Sequence, residues 1–186
     1  MKQFIKDWVV PVVEGLLLFL IINSFVSLTR ISGDSMFPTL RNNEFVILLK
    51  KASIHRNDVI VFKAYGVDNN NPDVKINTKY TKRVIGMPGD EIKYTKNGDL
   101  YVNNKLESQS YISKSERTKG TLNLLLPEYK GLSLGTNLSF KVPRNEYFVL
   151  GDNRKVSNDS RYYGFVPKSK VVGRVCTFWG QRKIKM

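Results

Sequence analysis

Residues 8–28 constrain this chain more than any other stretch. Around the run Gly15-Leu16-Leu17-Leu18-Phe19-Leu20-Ile21-Ile22, nearly every side chain is apolar. A helix of that length reaches about 30 Å, the thickness of the hydrocarbon core of a bilayer. Pro11 falls in the first turns, where a missing N–H is tolerated. Glu14 and Asn23 interrupt the run, and a carboxylate in hydrocarbon is costly. Three readings compete: a cleaved signal peptide, the buried helix of a soluble protein, and an uncleaved signal anchor. A signal peptide has a short apolar core before a small-residue cleavage site. A small-x-small pattern can be fitted onto Asn23–Ser27, but the apolar core is long, and the anchor is preferred. Lys2 and Lys6 precede the span and only Arg30 immediately follows it. That asymmetry puts residues 1–7 in the cytoplasm and residues 29–186 outside the cell membrane.

Beyond the span the pattern changes to period two and becomes rich in β-branched residues, the signature of half-buried strands. Strands are expected at Glu44–Leu49, Asp58–Phe62, Tyr80–Ile85, Glu91–Tyr94, Leu100–Val102, Glu146–Leu150 and Val171–Trp179. Asn97-Gly98 between two of them is a hairpin signal. Val67–Pro72 reads as a polar, Asn-rich loop. Residues 103–141 lose the periodicity and read as an inserted cap or loop. The expected fold is mainly β, one apolar helix followed by a β-rich domain with no helix longer than a turn or two.

Composition excludes much of the usual chemistry. There is one cysteine, Cys176, and one histidine, His55. An intramolecular disulfide, a Cys-rich metal site and a two-His metalloprotease motif are therefore impossible, and no cofactor is expected. Lys and Arg number 30 against 16 Asp and Glu, a formal charge of +14. Such a charge suits an anionic partner, a membrane surface or nucleic acid. No basic motif interleaved with aromatics favours nucleic acid.

Ser32-Gly33-Asp34-Ser35-Met36-Phe37-Pro38-Thr39-Leu40 follows the span directly and can present a hydroxyl at a turn, because Gly33 tolerates positive φ. The plain alternative is a polar turn. For Ser35 to act as a nucleophile it needs a base. His55, in a polar turn beside Asp58, is one candidate. A lysine is the other, provided burial lowers its pKa. At an ordinary pKa of ~10.4 only roughly one lysine in 2,500 is neutral at pH 7. Lys82, in Tyr80-Thr81-Lys82-Arg83-Val84-Ile85, lies within a strand, with Lys82 and Val84 on one face and Arg83 and Ile85 on the other. A buried Lys82 would be desolvated, and Arg83 would reach solvent or a carboxylate. The alternative is a solvated edge pair. A third polar stretch, Gly151-Asp152-Asn153-Arg154 through Ser157, Asp159 and Arg161, offers an Asp159–Arg161 ion pair and a Ser157 hydroxyl within reach of a neutral lysine. It also reads as an Asx-rich loop.

The Ser32–Leu40 stretch, the block Lys82-Arg83-Val84-Ile85-Gly86-Met87-Pro88-Gly89-Asp90, and Gly151–Arg154 with Ser157, Asp159-Ser160-Arg161 and Gly164 occur in one order, behind an apolar span. In this the chain resembles the bacterial type I signal peptidases, membrane-bound Ser-Lys proteases that remove signal peptides from exported preproteins, and in length it looks like the Gram-positive form. The resemblance implies that Ser35 is the nucleophile and Lys82 the general base, that Ser157 hydrogen-bonds the lysine, and that Asp152, Asp159 and Arg161 shape the site. It implies the Ser35 N–H as one oxyanion donor and leaves the second open among Gly33, Ser32 and water. It implies a β-fold of the type shared with self-cleaving repressor proteases, which lack an apolar span and are the nearest alternative. A membrane-anchored basic binding protein without catalysis is the other. The partners implied are preprotein signal peptides, held along a strand, and membrane lipids touched by Met36 and Phe37 beside Pro38.

Overall fold

The apolar span is helical and buries none of its side chains. The structure, a computed structural model, describes residues 2–119 and 137–176. The chain begins with a turn (Lys2–Phe4) and a π-helical stretch (Ile5–Val9) that lead into α1 (Val10–Phe25). Residues Lys6–Phe25 have a mean hydropathy of 2.0, and Leu16 to Ile22 are each more than half exposed. A helix apolar on every side has no stable place in water. Its C-terminal carbonyls, the negative end of its dipole, meet cations. Lys50 Nζ donates to Asn23 O at 2.6 Å, and Lys51 Nζ sits 4.5 Å from the centre of the Phe25 ring.

The helix stops at Phe25, three residues before the apolar run ends. Val26–Arg30 instead form β1, antiparallel to β2 (Phe45–Leu49), with Val26 opposite Leu49 and Arg30 opposite Phe45. The backbone groups of Val26–Arg30 are satisfied by a strand brought from about twenty residues on, an option that hydropathy along the chain does not reveal.

The remaining elements include the expected strands, most of them to within a residue or two, and add three short strands and two short helices that were not expected. They are β3 (Val59–Lys63), β4 (Lys79–Gly86), β5 (Glu91–Tyr94), β6 (Leu100–Val102), β7 (Lys105–Glu107), α2 (Lys114–Lys119), β8 (Ser139–Lys141), β9 (Glu146–Leu150), α3 (Ser160–Tyr163), β10 (Val166–Pro167) and β11 (Val171–Cys176). The last strand was expected to reach Trp179, and residues 177–179 lie outside the described residues. Among those described, one sheet has the order β1-β2-β11-β3-β4-β9-β10 and a second the order β7-β6-β5-β8. The second sheet contains the Asn97-Gly98 hairpin, in which Gly98 takes φ 81° and its N–H reaches Thr95 O at 3.0 Å. It also absorbs part of the expected insertion, since β7 and β8 belong to residues 103–141, while residues 120–136 lie outside the described residues. Ile92, Leu100 and Val102 of the small sheet bury themselves against Ile85, Phe148 and Leu150 of the large one. Each such side chain contributes about 1.5–3 kcal/mol by leaving water.

Strand β4 is the spine of the domain. Its first half, Lys79–Lys82, pairs with β3 alone, and from Arg83 onward it also pairs with β9. Every residue from Lys82 to Gly86 is buried. Lys82 and Arg83 therefore point to opposite faces and are both inside, at 4% and 1% exposure.

Candidate active site

The turn that carries Ser35 is pinned from beneath by its own apolar residues. After β1, Gly33 adopts φ 85°, in the left-handed region, and its N–H donates to Asn42 Oδ1 at 3.0 Å. The chain then coils, with Phe37 N–H on Asp34 O and Leu40 N–H on Met36 O. Met36 and Leu40, four residues apart, face inward onto Ile31, Val46 and Val59. The expectation that Met36 touches substrate or lipid is thus corrected: its side chain is 1% exposed and anchors the turn in the core. Phe37 is half exposed and Pro38 partly so. Ser35, just ahead of them, holds its hydroxyl at the floor of an open cleft of about 630 Å³, bounded by Thr29 and Arg30 of β1, Val61 of β3, Thr81 of β4 and Asn153.

Lys82 rises into the same cleft from β4. Its Nζ lies 2.8 Å from Ser35 Oγ and 5.4 Å from the centre of the Tyr80 ring. Burial of the amine lowers its pKa to about 8; the Asp159 charge opposes that drop and the Arg161 charge adds to it. At that value roughly a tenth of the molecules carry a neutral amine at pH 7, some two hundred times more than for an exposed lysine. His55, the other candidate base, lies outside the cleft with its side chain 69% exposed, beside Asp58.

The segment after β9 holds these two groups in register. Asn153 donates its backbone N–H to Ser35 O at 3.0 Å and its side-chain amide to Asp34 O at 3.1 Å. Gly151 is required by a close approach, since a Cβ there would collide with Ser157 Oγ and Ser35 O. Its N–H donates to Asp159 Oδ2 at 2.9 Å. Asp159 and Arg161 form the expected ion pair, with Nε on Oδ1 at 2.7 Å and Nη2 on Oδ2 at 2.9 Å, both side chains being within 2% of full burial. Burial alone would raise the Asp159 pKa, but the Arg161 charge and hydrogen bonds, with the Gly151 N–H, carry it below the ordinary carboxylate range. Asp152 turns the other way and grips Arg83 with both oxygens, at 2.8 and 2.6 Å. It also accepts a short hydrogen bond from Thr39 Oγ1. Of the two expectations for Arg83, the carboxylate holds.

Two expectations about hydrogen bonds come out differently. Ser157 Oγ is buried, and the hydrogen bond it was expected to make to Lys82 is not formed; the hydroxyl instead helps to lower the Asp159 pKa. The Gly33 N–H is occupied by Asn42, which leaves Ser32, exposed at the rim of the cleft, or water beside the Ser35 N–H. Other residues belong to the site and were not singled out. Thr39 sits inside the Ser35 stretch and joins it to Asp152. Tyr80 covers Lys82 and donates its hydroxyl to Asp68 at 2.9 Å. The one sequence signal for Tyr80 was its i,i+2 spacing from Lys82; for Asp68, in a polar loop, there was none.

The sequence has counterparts among known proteins. The model of the signal peptidase family, peptidase S26, matches residues 5–179. The chain belongs to that family. Signal peptidase IB of Staphylococcus aureus (strain COL) is 36% identical, over 96% of this chain and 92% of its own length. Signal peptidase I of Streptococcus pneumoniae is 34% identical, over 96% of this chain and 94% of its own. A crystal structure of a signal peptidase I from Enterococcus faecalis, 32% identical, covers 67% of this chain and 98% of that one with a TM-score of 0.48. The family expected from the three ordered blocks is the family found, and the match reaches across both the apolar helix and the strands.

Proposed function

We propose that this protein is a membrane-anchored serine endopeptidase that cuts signal peptides from exported preproteins, with Ser35 as nucleophile and Lys82 as general base. The 2.8 Å contact between a buried amine and Ser35 Oγ carries the reading. Neutral Lys82 accepts the hydroxyl proton as Oγ attacks the scissile carbonyl carbon. The resulting ammonium gives that proton to the departing amine, leaving the signal peptide as an ester on Ser35. Lys82, neutral again, then takes a proton from the water that opens the ester and returns it to the departing Ser35 Oγ. The Ser35 N–H stabilises the oxyanion, with the Ser32 hydroxyl or a water as second donor.

Two free strand edges support an extended substrate. Among the described residues, β1 is the edge of its sheet, and Lys79–Lys82 of β4 pair on one side only. Both border the cleft, so the residues before the cut add a strand there by backbone hydrogen bonds. The apolar helix Lys6–Phe25 spans the membrane. Lys2 and Lys6 hold the N-terminus in the cytoplasm and residues 29–186 face outward. Phe37 and the surplus of basic residues lie against an anionic leaflet. The test is incubation of the detergent-solubilised protein with a labelled preprotein, the cut being mapped by mass spectrometry. One cut at the end of the signal peptide, absent in Ser35→Ala, is expected; an intact preprotein with the unaltered enzyme sinks the reading.

A further inference from the structure

The Asn-rich loop between β3 and β4 makes no hydrogen bond to Ser35 or Lys82, yet it is built into the domain beside them. Val67 and Asp68 are buried, and both their N–H groups donate to Ala64 O. The Asp68 carboxylate accepts from Tyr80 at 2.9 Å and from Asn158 Nδ2 at 2.6 Å, and Asn71 Nδ2 donates to the Tyr80 hydroxyl at 3.2 Å. The loop thereby walls a second cavity of about 450 Å³, with Asp68, Asn71 and Pro72 on one side and Lys155, Val156 and Tyr162 on the other. Asn71, Val156 and Asn158 line both this cavity and the catalytic cleft, so the two meet across a single rim. The second cavity is lined by no residue of β1 or β4.

That last fact decides the occupant. The residues before the cut lie along the free edges of β1 and β4. A hollow continuous with the cleft, but touching neither edge, is left for the part of the substrate that those edges do not hold. We propose that the second cavity is a subsite for the first residues of the mature protein, directly after the scissile bond, and that the β3–β4 loop builds it. The inference rests on the endopeptidase reading above. An extended chain advances about 3.3–3.6 Å per residue, so roughly two to four residues fill the cavity. The Asp68 carboxylate is engaged by Tyr80 and Asn158, whereas Lys155 is exposed and makes no ion pair among the described residues. Its ammonium and the neighbouring amides select an acidic or amide side chain, and Pro72, Val156 and Tyr162 give the backbone an apolar wall.

The test uses peptides identical up to the cut and amidated one, two, three or four residues beyond it, with kcat/KM compared as a ratio within each enzyme. In the unaltered enzyme the ratio of longest to shortest is expected to be about tenfold. In the V156A/Y162A double variant, altered only at exposed side chains, it falls to about twofold or less. Glu at the third position beyond the cut outperforms Lys several-fold, and Lys155→Glu reverses that order. A length ratio near one, or a ratio and charge preference that survive both variants, overturns the subsite. If neither peptides nor preproteins are cut, the endopeptidase reading falls first and the subsite with it.

Discussion

Lys82 and Arg83 are consecutive on β4, face opposite sides of the same strand and are both buried, but the protein treats their charges in opposite ways. On the Arg83 side, Asp152 supplies two carboxylate hydrogen bonds, Asn57 O accepts a third at 2.7 Å, and the Tyr111 ring lies 4.3 Å from the guanidinium carbon. Burial alone would lower the Arg83 pKa, but Asp152 more than offsets it and the net direction is upward. On the Lys82 side the amine meets a hydroxyl and an aromatic face. The charges that act on it most, Asp159 and Arg161, are already bound to each other, so desolvation dominates and the pKa falls. Burial does not by itself make a base. Burial without a counter-charge does, and the same strand uses a buried charge with its counter-ion as a rivet.

The sharpest test removes the chemistry on one side and leaves the rivet intact. Ser35→Ala and Lys82→Ala are each expected to reduce preprotein cleavage by a factor of about 10³ or more, while circular dichroism stays unchanged. Retained cleavage in either purified variant would end the Ser-Lys assignment. The opposite test, Asp152→Ala, strands a buried guanidinium and costs about 3–5 kcal/mol of stability. Denaturant titration reads this as a lower midpoint, and a midpoint equal to that of the unaltered protein would mean Asp152 is not the counter-ion that matters.

The third prediction concerns the stability linked to Lys82. Its folded pKa, about 8, is below its ordinary 10.5, so between these values the unfolded chain binds more protons than the folded one. Stability therefore rises with pH across that window, and the gain is lost as pH falls back to about 8. The full swing is about 3 kcal/mol. In Lys82→Met the rise from this group vanishes, and a denaturation profile over roughly pH 7–11 that is identical in the two proteins would refute the depressed pKa. Catalysis follows the same ionisation: kcat/KM climbs about tenfold per pH unit below 8 and levels off above it, as a pH–rate profile with a small preprotein substrate would record. The smallest effect is expected at His55, where replacement by Ala leaves activity unchanged and stability within about 0.5 kcal/mol. A collapse of activity there would move the base from Lys82 to His55.

How far the sequence reached differs between the same two sides. The strand around Lys82, its two faces and the polar stretch after β9 were legible, because alternation and turn residues are local properties. That Arg83 would be fully buried was not, since its partner Asp152 lies 69 residues on. Met36 misled for a related reason. Next to a serine and a phenylalanine it reads as a contact residue, yet the coiled turn carries it inward with Leu40. Gly33 was identified as a backbone position and takes a positive φ, but its N–H is committed to Asn42, nine residues away.

By itself the sequence determined the apolar helix, the mainly β character of the domain behind it, the exclusion of an intramolecular disulfide and of multi-histidine metal sites, and the ordered blocks that mark the family. These depend on residue type and spacing within about ten positions, which is the range over which period and turn chemistry act. The tertiary structure decided which hydroxyl meets which amine. It bent β1 out of the apolar run, set Lys82 2.8 Å from a serine 47 residues earlier, and paired its neighbour with a carboxylate. A depressed lysine pKa needs water excluded from every side and no unpaired anion within reach, and only strands and turns brought together from distant parts of the chain can impose both.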